Sequence, residues 1–184
     1  MGENKINEVY KKLLKEDEKP FESKYELTDE NIDIEGIKLY RIKSLKRFGS
    51  VKKGELGGIV ENESNLSDIG DCWIYNEAKV YGRAYVRGNA QICDNAEVRG
   101  GRVAPMPPRI CTNEDVNVSE NAKVYGNAKI LQGSDVQGNV KVHGNAEIYD
   151  SMLDENADIY ENAKIKDSYI AGDTEIYGYT EIDG

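Results

Sequence analysis

The chain has 184 residues, of which 39% are apolar and 32% charged, and its net charge is −10. A two-layer globule of this length would use more apolar residues, whereas a solenoid needs fewer because its core is one thin column. The acidity disfavours binding to nucleic-acid phosphate, and no apolar run approaches the length of a membrane span. The three cysteines lack CxxC spacing, which argues against a zinc site or disulfide framework and predicts a cytoplasmic protein.

Residues 1–20 are predicted to form an N-terminal amphipathic helix. Apolar side chains recur at helical spacing within residues 3–19, and Pro20 ends the pattern. The stripe consists of Ile6, Val9, Tyr10, Leu13 and Leu14. A single stripe this short is marginal alone, so we expect the helix to dock on the solenoid end or on a second subunit.

Residues 21–71 predict a small β cap followed by an irregular lead-in segment. Ile32 and Ile34 alternate with acids, and apolar residues resume at Ile37 after a turn at Glu35 and Gly36. The chain from residue 48 to residue 71 is rich in Gly, Ser, Asn and Asp, which is typical of irregular structure.

From residue 72 to residue 184 the sequence repeats every six residues. Aliphatic anchors recur with this spacing, a small residue often follows four positions later, and a pair such as Gly88-Asn89 lies between them. Because Gly and Asn tolerate positive φ, each pair can turn a corner. The anchors are Ile74, Val80, Val86, Ile92, Val98, Val118, Val124, Ile130, Val136, Val142, Ile148, Leu153, Ile159, Ile165, Ile170, Ile176 and Ile182.

This pattern resembles the left-handed β-helix hexapeptide-repeat superfamily. A strand-plus-corner unit cannot bury an apolar face alone, so stacked units must share one column. The resemblance implies an all-β fold: a left-handed parallel β-helix with three hexapeptides per coil and about six coils, preceded by the short α-helix and the small β cap.

Three units per coil assign the anchors to three faces. Face A holds anchors 86, 118, 136, 153 and 170; face B holds 74, 92, 124, 142, 159 and 176; face C holds 80, 98, 130, 148, 165 and 182. The residues just before the face C anchors alternate in charge at every step, which predicts opposite-charge pairs between coils. They are Lys79, Glu97, Lys129, Glu147, Lys164 and Glu181.

The residues just after the face B anchors predict an outward strip rich in aromatic rings. This column reads Tyr75, Cys93, Tyr125, His143, Tyr160 and Tyr177, and Trp73 precedes the first anchor. Exposed aromatics gathered in this way indicate an interface. The resemblance to the hexapeptide-repeat superfamily implies that this interface packs subunits into a trimer or dimer. The alternative is a tyrosine ladder that only stabilises the sheet. Cys93 beside Asp94 is not expected to be a reactive nucleophile, because the acid raises a thiol pKa.

A stiff, apolar loop is predicted at residues 99–115. The gap between Val98 and Val118 is one unit plus about 14 extra residues, and long insertions are usually functional or contact-forming. Its apolar centre, which we add to the predicted interface, consists of Pro105, Met106, Pro107 and Pro108.

His143 is the single histidine and the one candidate for catalysis. In hexapeptide acyltransferases a histidine acts as base, but it commonly follows a small residue after the anchor, whereas His143 directly follows Val142. The sequence shows no acid beside it to orient the ring. We therefore expect His143 to belong to the aromatic strip, with no cofactor and no metal site.

The segment Phe48-Gly49-Ser50-Val51-Lys52-Lys53-Gly54-Glu55-Leu56-Gly57-Gly58, with Asn65-Leu66-Ser67 and Gly70-Asp71-Cys72-Trp73-Ile74, resembles the lead-in of bacterial and phage hexapeptide-repeat proteins. Members often carry a transferase label, but fold does not fix function. Without a catalytic constellation, we expect a non-catalytic acidic binding protein. The resemblance, over about residues 24–184, implies that it is phage-encoded and blocks or sequesters a host defence component. The alternatives are an acyltransferase using His143 and a small-molecule sponge with pockets between subunits.

Overall fold

The fold is described from a computed structural model that covers residues 22–101 and 115–184. Within these residues there are twenty strands and one 3-10 turn, Glu63–Asn65. The strands are β1 Tyr25–Ile34, β2 Ile37–Ser44, β3 Leu56–Val60, β4 Trp73–Ile74, β5 Lys79–Tyr81, β6 Ala84–Val86, β7 Gln91–Ile92, β8 Glu97–Arg99, β9 Val116–Val118, β10 Lys123–Val124, β11 Lys129–Leu131, β12 Asp135–Val136, β13 Lys141–Val142, β14 Glu147–Tyr149, β15 Met152–Leu153, β16 Asp158–Ile159, β17 Lys164–Lys166, β18 Tyr169–Ile170, β19 Glu175–Ile176 and β20 Glu181–Asp183.

The cap is an antiparallel hairpin that merges into the first coil. β1 pairs with β2 across the predicted turn, where Glu35 and Gly36 both have positive φ, as a two-residue hairpin turn of type I′ requires. β2 pairs antiparallel with β3, and β3 pairs parallel with β5. The hairpin therefore extends one sheet of the coils and covers its first edge, which would otherwise leave backbone groups unpaired.

The rest of the described chain is a parallel β-solenoid of about six turns. Face A is the sheet β18-β15-β12-β9-β6, face B is β19-β16-β13-β10-β7-β4, and face C runs from β3 through β5, β8, β11, β14 and β17 to β20. Every neighbour within a face is one coil away, and anchors pair with anchors, as Val124 does with Ile92 and Val142. The predicted division into three faces is confirmed.

One continuous column of anchors forms the core. Most anchors are completely buried, and the column becomes partly exposed only in the last coil, at Ile170 and Ile182. Small residues such as Ala128 and Ala146, four positions after an anchor, are equally buried. Each buried Val or Ile contributes about 1.5–3 kcal/mol relative to exposure, so the column is the main source of stability.

The corners are held by acids and by rows of asparagines. Glu120 has positive φ and accepts the N–H of Gly138 in the next coil at 3.2 Å. A Cβ on Gly138 would lie 2.6 Å from the Glu155 carbonyl oxygen, so glycine is required there. Two amide ladders follow the corners, with N···O distances of 2.9–3.2 Å. They are Asn89-Asn121-Asn139-Asn156-Asp173 and Asn95-Asn127-Asn145-Asn162.

The opposite-charge row of face C is in register as predicted. Lys129 pairs with Glu97 on one side and Glu147 on the other, and its Nζ lies 2.9 Å from a Glu147 oxygen. The carboxylate of Glu147 raises the pKa of Lys129. At the exposed surface such a pair contributes at most about 1 kcal/mol, so its main effect is on register.

Four of the sequence-based predictions stay predictions. The N-terminal helix and the apolar centre of the loop, residues 105–108, lie outside the described residues. The left-handed sense of the coils and the domain limits at residues 20 and 71 also stay predictions.

Candidate functional site

Four rings in face B form one continuous stack, which we call the aromatic strip: Tyr125, His143, Tyr160 and Tyr177. Their centroids are 4.6, 5.1 and 5.3 Å apart in chain order, and the angles between successive planes are 4°, 6° and 16°. Each residue directly follows an anchor of face B, and in-register parallel strands repeat at about 4.8 Å. The backbone register therefore imposes the stack.

The strip presents ring edges to solvent, because neighbouring rings cover most of the ring faces. Tyr125, His143 and Tyr160 are partly buried, whereas Tyr177, whose outer face has no ring below it, is 54% exposed. Burial, followed by the charge of Asp158, raises the pKa of Tyr125. Its hydroxyl stays protonated near neutral pH and can donate to a partner.

The first two residues of the predicted column, Tyr75 and Cys93, do not continue the strip. Tyr75 is half-buried at the cap, and its hydroxyl lies 3.0 Å from the Ser50 hydroxyl. Cys93 replaces a ring in the next coil. Burial, then the negative charge of Asp94, raises the pKa of the Cys93 thiol to about 11, so it is a poor nucleophile at neutral pH.

Trp73 is not part of an exposed interface, and that prediction is wrong. Its side chain is completely buried, with edge-on contacts to Tyr25 at 6.3 Å and Phe48 at 5.3 Å between centroids. A Cβ on Gly57 would lie 2.6 Å from the indole, so glycine gives the indole room beside β3. The cap thus covers the position where the strip would otherwise begin.

Asp158 holds the edge of the His143 ring. Its Oδ1 lies 3.0 Å from Nε2 of His143, and its Oδ2 lies 3.5 Å from Nζ of Lys141. Asp158 pairs with Lys141 across one coil step. The expectation that no acid lies beside His143 is therefore wrong, because the acid comes from the next coil. The sequence does hold a signal for this pair. His143 directly follows one face B anchor, and Asp158 directly precedes the anchor of the next coil.

The His143–Asp158 pair fixes a tautomer. With the carboxylate as acceptor, Nε2 donates, and Nδ1 of a neutral ring is left as the proton acceptor. Stacking between Tyr125 and Tyr160 prevents the ring from tilting. The arrangement supports two roles: a rigid element of a contact surface, or an oriented base.

Among the grooves of the described residues, three lie along the corner between faces C and A, away from the strip. One of these three, of about 360 Å³, is lined in part by Asp135, Met152 and Tyr169. Burial raises the pKa of Asp135, and its Oδ1 has no hydrogen-bond partner. The others are about 290 Å³ beside Tyr85 and about 220 Å³ beside Tyr149. The proposal of a small-molecule sponge stays a prediction.

In residues 22–101 and 115–184 no group of three or more His, Cys, Asp or Glu side chains is arranged to hold a metal ion. The same residues contain no helix with the length and apolarity needed to cross a membrane.

Comparison of the chain with protein-family models and with curated proteins finds no match. Function is therefore inferred from the fold and from the geometry of the strip. The class that they define is a parallel β-solenoid with a stacked aromatic surface on one face.

Proposed function

We propose that this chain is a non-catalytic, acidic binding protein that contacts other protein through the aromatic strip. The observation that carries the proposal is the unbroken stack from Tyr125 to Tyr177, whose hydroxyl groups and ring edges lie on one flat face. Aromatic side chains are the commonest energetic centres of protein interfaces.

The strip is already ordered before any partner binds. Its rings are fixed by stacking, and His143 is fixed further by Asp158, so association costs little side-chain entropy. Tyrosine combines a large apolar area with a hydroxyl donor, which suits a surface that must be stable in water when unoccupied. Four rings span about 15 Å, a length suited to a protein surface.

The charge of the coils favours a protein partner over nucleic acid. Residues 71–184 carry 11 basic and 19 acidic side chains, a net charge of −8. Phosphate backbones are repelled by such a surface, whereas a partner with basic groups is attracted. The resemblance to bacterial and phage hexapeptide-repeat proteins extends the proposal: the partner is a host component that the protein blocks or sequesters in the cytoplasm, and it competes with a second copy of the chain for the strip.

The test replaces two strip residues and compares them with two tyrosines elsewhere. Tyr125→Ala with Tyr160→Ala removes the centre of the strip, whereas Tyr149→Ala with Tyr169→Ala removes exposed rings of faces C and A. We expect the strip variant to weaken self-association, or binding to a purified host partner, on the order of tenfold, and the control to change neither. Sedimentation velocity measures association, and thermal unfolding verifies the fold.

Equal affinity of the wild-type chain and the strip variant, with both folded, would contradict the proposal. Loss of affinity in the control as well would show that the effect is not specific to face B.

A second candidate, an acyltransferase of the hexapeptide class, is favoured by one observation: Asp158 orients His143. In that reaction Nδ1 would take a proton from an acceptor hydroxyl or amine as the acceptor attacks a thioester carbonyl, and the thiol would leave with a proton. Acyl-coenzyme A and a panel of amines test it. Turnover that is lost in His143→Ala supports the enzyme, and absence of binding at millimolar donor excludes it.

A further inference from the structure

We infer that two copies of this chain pair through face B in antiparallel orientation, with the two-fold axis parallel to the strands and between Lys141 and Asp158. This inference rests on the proposed function, because it names the second copy as a partner of the aromatic strip. It follows from the distribution of charge beside the strip.

The column before the face B anchors divides into a basic half and an acidic half. Successive coils place Lys123, Lys141, Asp158 and Glu175 in register, so two positive charges are followed by two negative ones. Lys123, Lys141 and Glu175 are exposed, and Asp158 is partly exposed. This column differs from that of face C, where the sign alternates at each coil. In face B Lys141 and Asp158 pair within the chain at 3.5 Å, whereas Lys123 lies beside Lys141 and Glu175 lies beside Asp158.

A two-fold axis parallel to the strands generates a second copy whose coils run in the opposite order. Each residue of that copy keeps its position along the strand direction. Lys141 then lies opposite the partner's Asp158, and Lys123 lies opposite the partner's Glu175. The symmetry repeats both contacts, which gives four pairs of opposite charge. Such complementarity fixes orientation and register more than it adds affinity.

The same operation places the two aromatic strips against each other. His143 faces the partner's Tyr160, and Tyr125 faces the partner's Tyr177. Because the rings of each chain are stacked and present their edges, the contact is between two rows of ring edges and hydroxyl groups. The hydroxyl groups provide donors and acceptors on both sides.

The corners also favour the antiparallel arrangement. Glu155 would face the partner's Gly138, and Glu161 would face the partner's Gly144. The alternative is a parallel dimer, whose two-fold axis runs along the solenoid axis. In that dimer Glu155 would face the partner's Glu161 in the same coil, so two acids would lie opposite each other. Like charges placed opposite each other are destabilising, so the parallel dimer is disfavoured.

The predicted dimer is weak and sensitive to salt. Four coils at about 4.8 Å give an overlap about 19 Å long, which is at the small end of specific interfaces. The chain also carries a net charge of −10, so the long-range force between copies is repulsive. We expect dissociation constants on the order of micromolar, with the local charge pairs and the strip both needed.

Single cysteines and a short bismaleimide cross-linker test the orientation. In a background with Cys93→Ser and Cys111→Ser, one chain carries Lys123→Cys and a second carries Glu175→Cys. We expect the mixture to give cross-linked dimers, because residue 123 of one chain faces residue 175 of the other. Each chain alone should give none, because the same position in the two chains is then three coils apart, about 14 Å. Self-cross-linking of Lys123→Cys, a trimer, or no product in the mixture would overturn the antiparallel dimer.

Charge reversal tests the pairing independently. Lys141→Glu should weaken dimerisation about tenfold, and Lys141→Glu combined with Asp158→Lys should restore it. If both variants dimerise equally, with thermal unfolding unchanged, the charge pairing is wrong.

Failure of this inference is separate from failure of the proposed function. If the strip variant Tyr125→Ala with Tyr160→Ala loses a purified host partner while no cross-link forms, the strip is a binding surface and the antiparallel dimer is excluded. If the cross-link forms and the strip variant dimerises normally, the charge column pairs the chains and the role of the strip is refuted.

Discussion

His143 and Asp158 belong to successive coils of face B, and their Nε2 and Oδ1 atoms lie 3.0 Å apart. The contact joins the aromatic strip to the charged column beside it. The ring is therefore held on its edge by a carboxylate and on both faces by tyrosines.

The stack predicts that ring shape matters more at residue 143 than the imidazole does. His143→Ala opens a gap between Tyr125 and Tyr160 and should lower the free energy of unfolding by about 1–2 kcal/mol. His143→Tyr keeps the stack and loses the bond to Asp158, so it should stay within about 0.5 kcal/mol of the wild type. Urea unfolding measures both, and equal losses would show that the hydrogen bond is the more important contact.

The core column predicts that a charge at Val124 unfolds the middle coils. Val124 is completely buried between Ile92 and Val142, so Val124→Asp buries a carboxylate without a partner and should cost several kcal/mol. Lys123→Asp is the matched control, because Lys123 directly precedes Val124 in the chain and is exposed. Circular dichroism on heating measures the two variants. A Val124→Asp protein that unfolds as cooperatively as the wild type would mean that residue 124 does not face inward.

The amide ladders predict a graded effect at Asn145. This side chain accepts from Asn127 at 3.1 Å and donates to Asn162 at 3.0 Å. Asn145→Ala removes both bonds and should cost about 1 kcal/mol, and Asn145→Asp, which keeps the acceptor, should cost less. Asp173 already ends the other ladder as an acceptor for Asn156. Identical unfolding midpoints for wild type and Asn145→Ala would show that the ladder is only a consequence of the register.

The raised pKa of Cys93 predicts slow alkylation. Because burial and Asp94 move the thiol pKa from 9.0 to about 11, the thiolate is scarcer in the folded protein than in the unfolded chain at any pH below that value. Iodoacetamide at pH 8 should modify Cys93 tens of times more slowly in the folded protein than in urea. Mass spectrometry of the peptide that contains Cys93 measures the rate. Equal rates in the two states would contradict the burial of this thiol.

The sequence predicted the coils well because their register depends on a local period. Anchors six residues apart specify both the inward direction and the face, and the two five-residue steps, such as Ile148 to Leu153, fall at the same corner without breaking the sheets. The sequence also predicted the hairpin turn at Glu35 and Gly36, where both residues have positive φ.

What the sequence did not predict depends on contacts between distant segments. Trp73 occupies an outward position of the repeat, but the cap brings Tyr25 and Phe48 over it. Asp158 lies 15 residues from His143 and one coil away, so no local motif marks the pair. The asparagine ladders did carry a signal, because Asn follows the first corner residue in several successive coils.

The most direct test of the account is hydroxyl-radical footprinting of the tyrosines in the free and the associated protein. If the aromatic strip is the contact surface, oxidation of Tyr160 and Tyr177 should fall on association, while oxidation of Tyr149 and Tyr169, on the other two faces, should not change. Unchanged oxidation of Tyr160 and Tyr177 in an associated sample would contradict the assignment of face B as the binding surface.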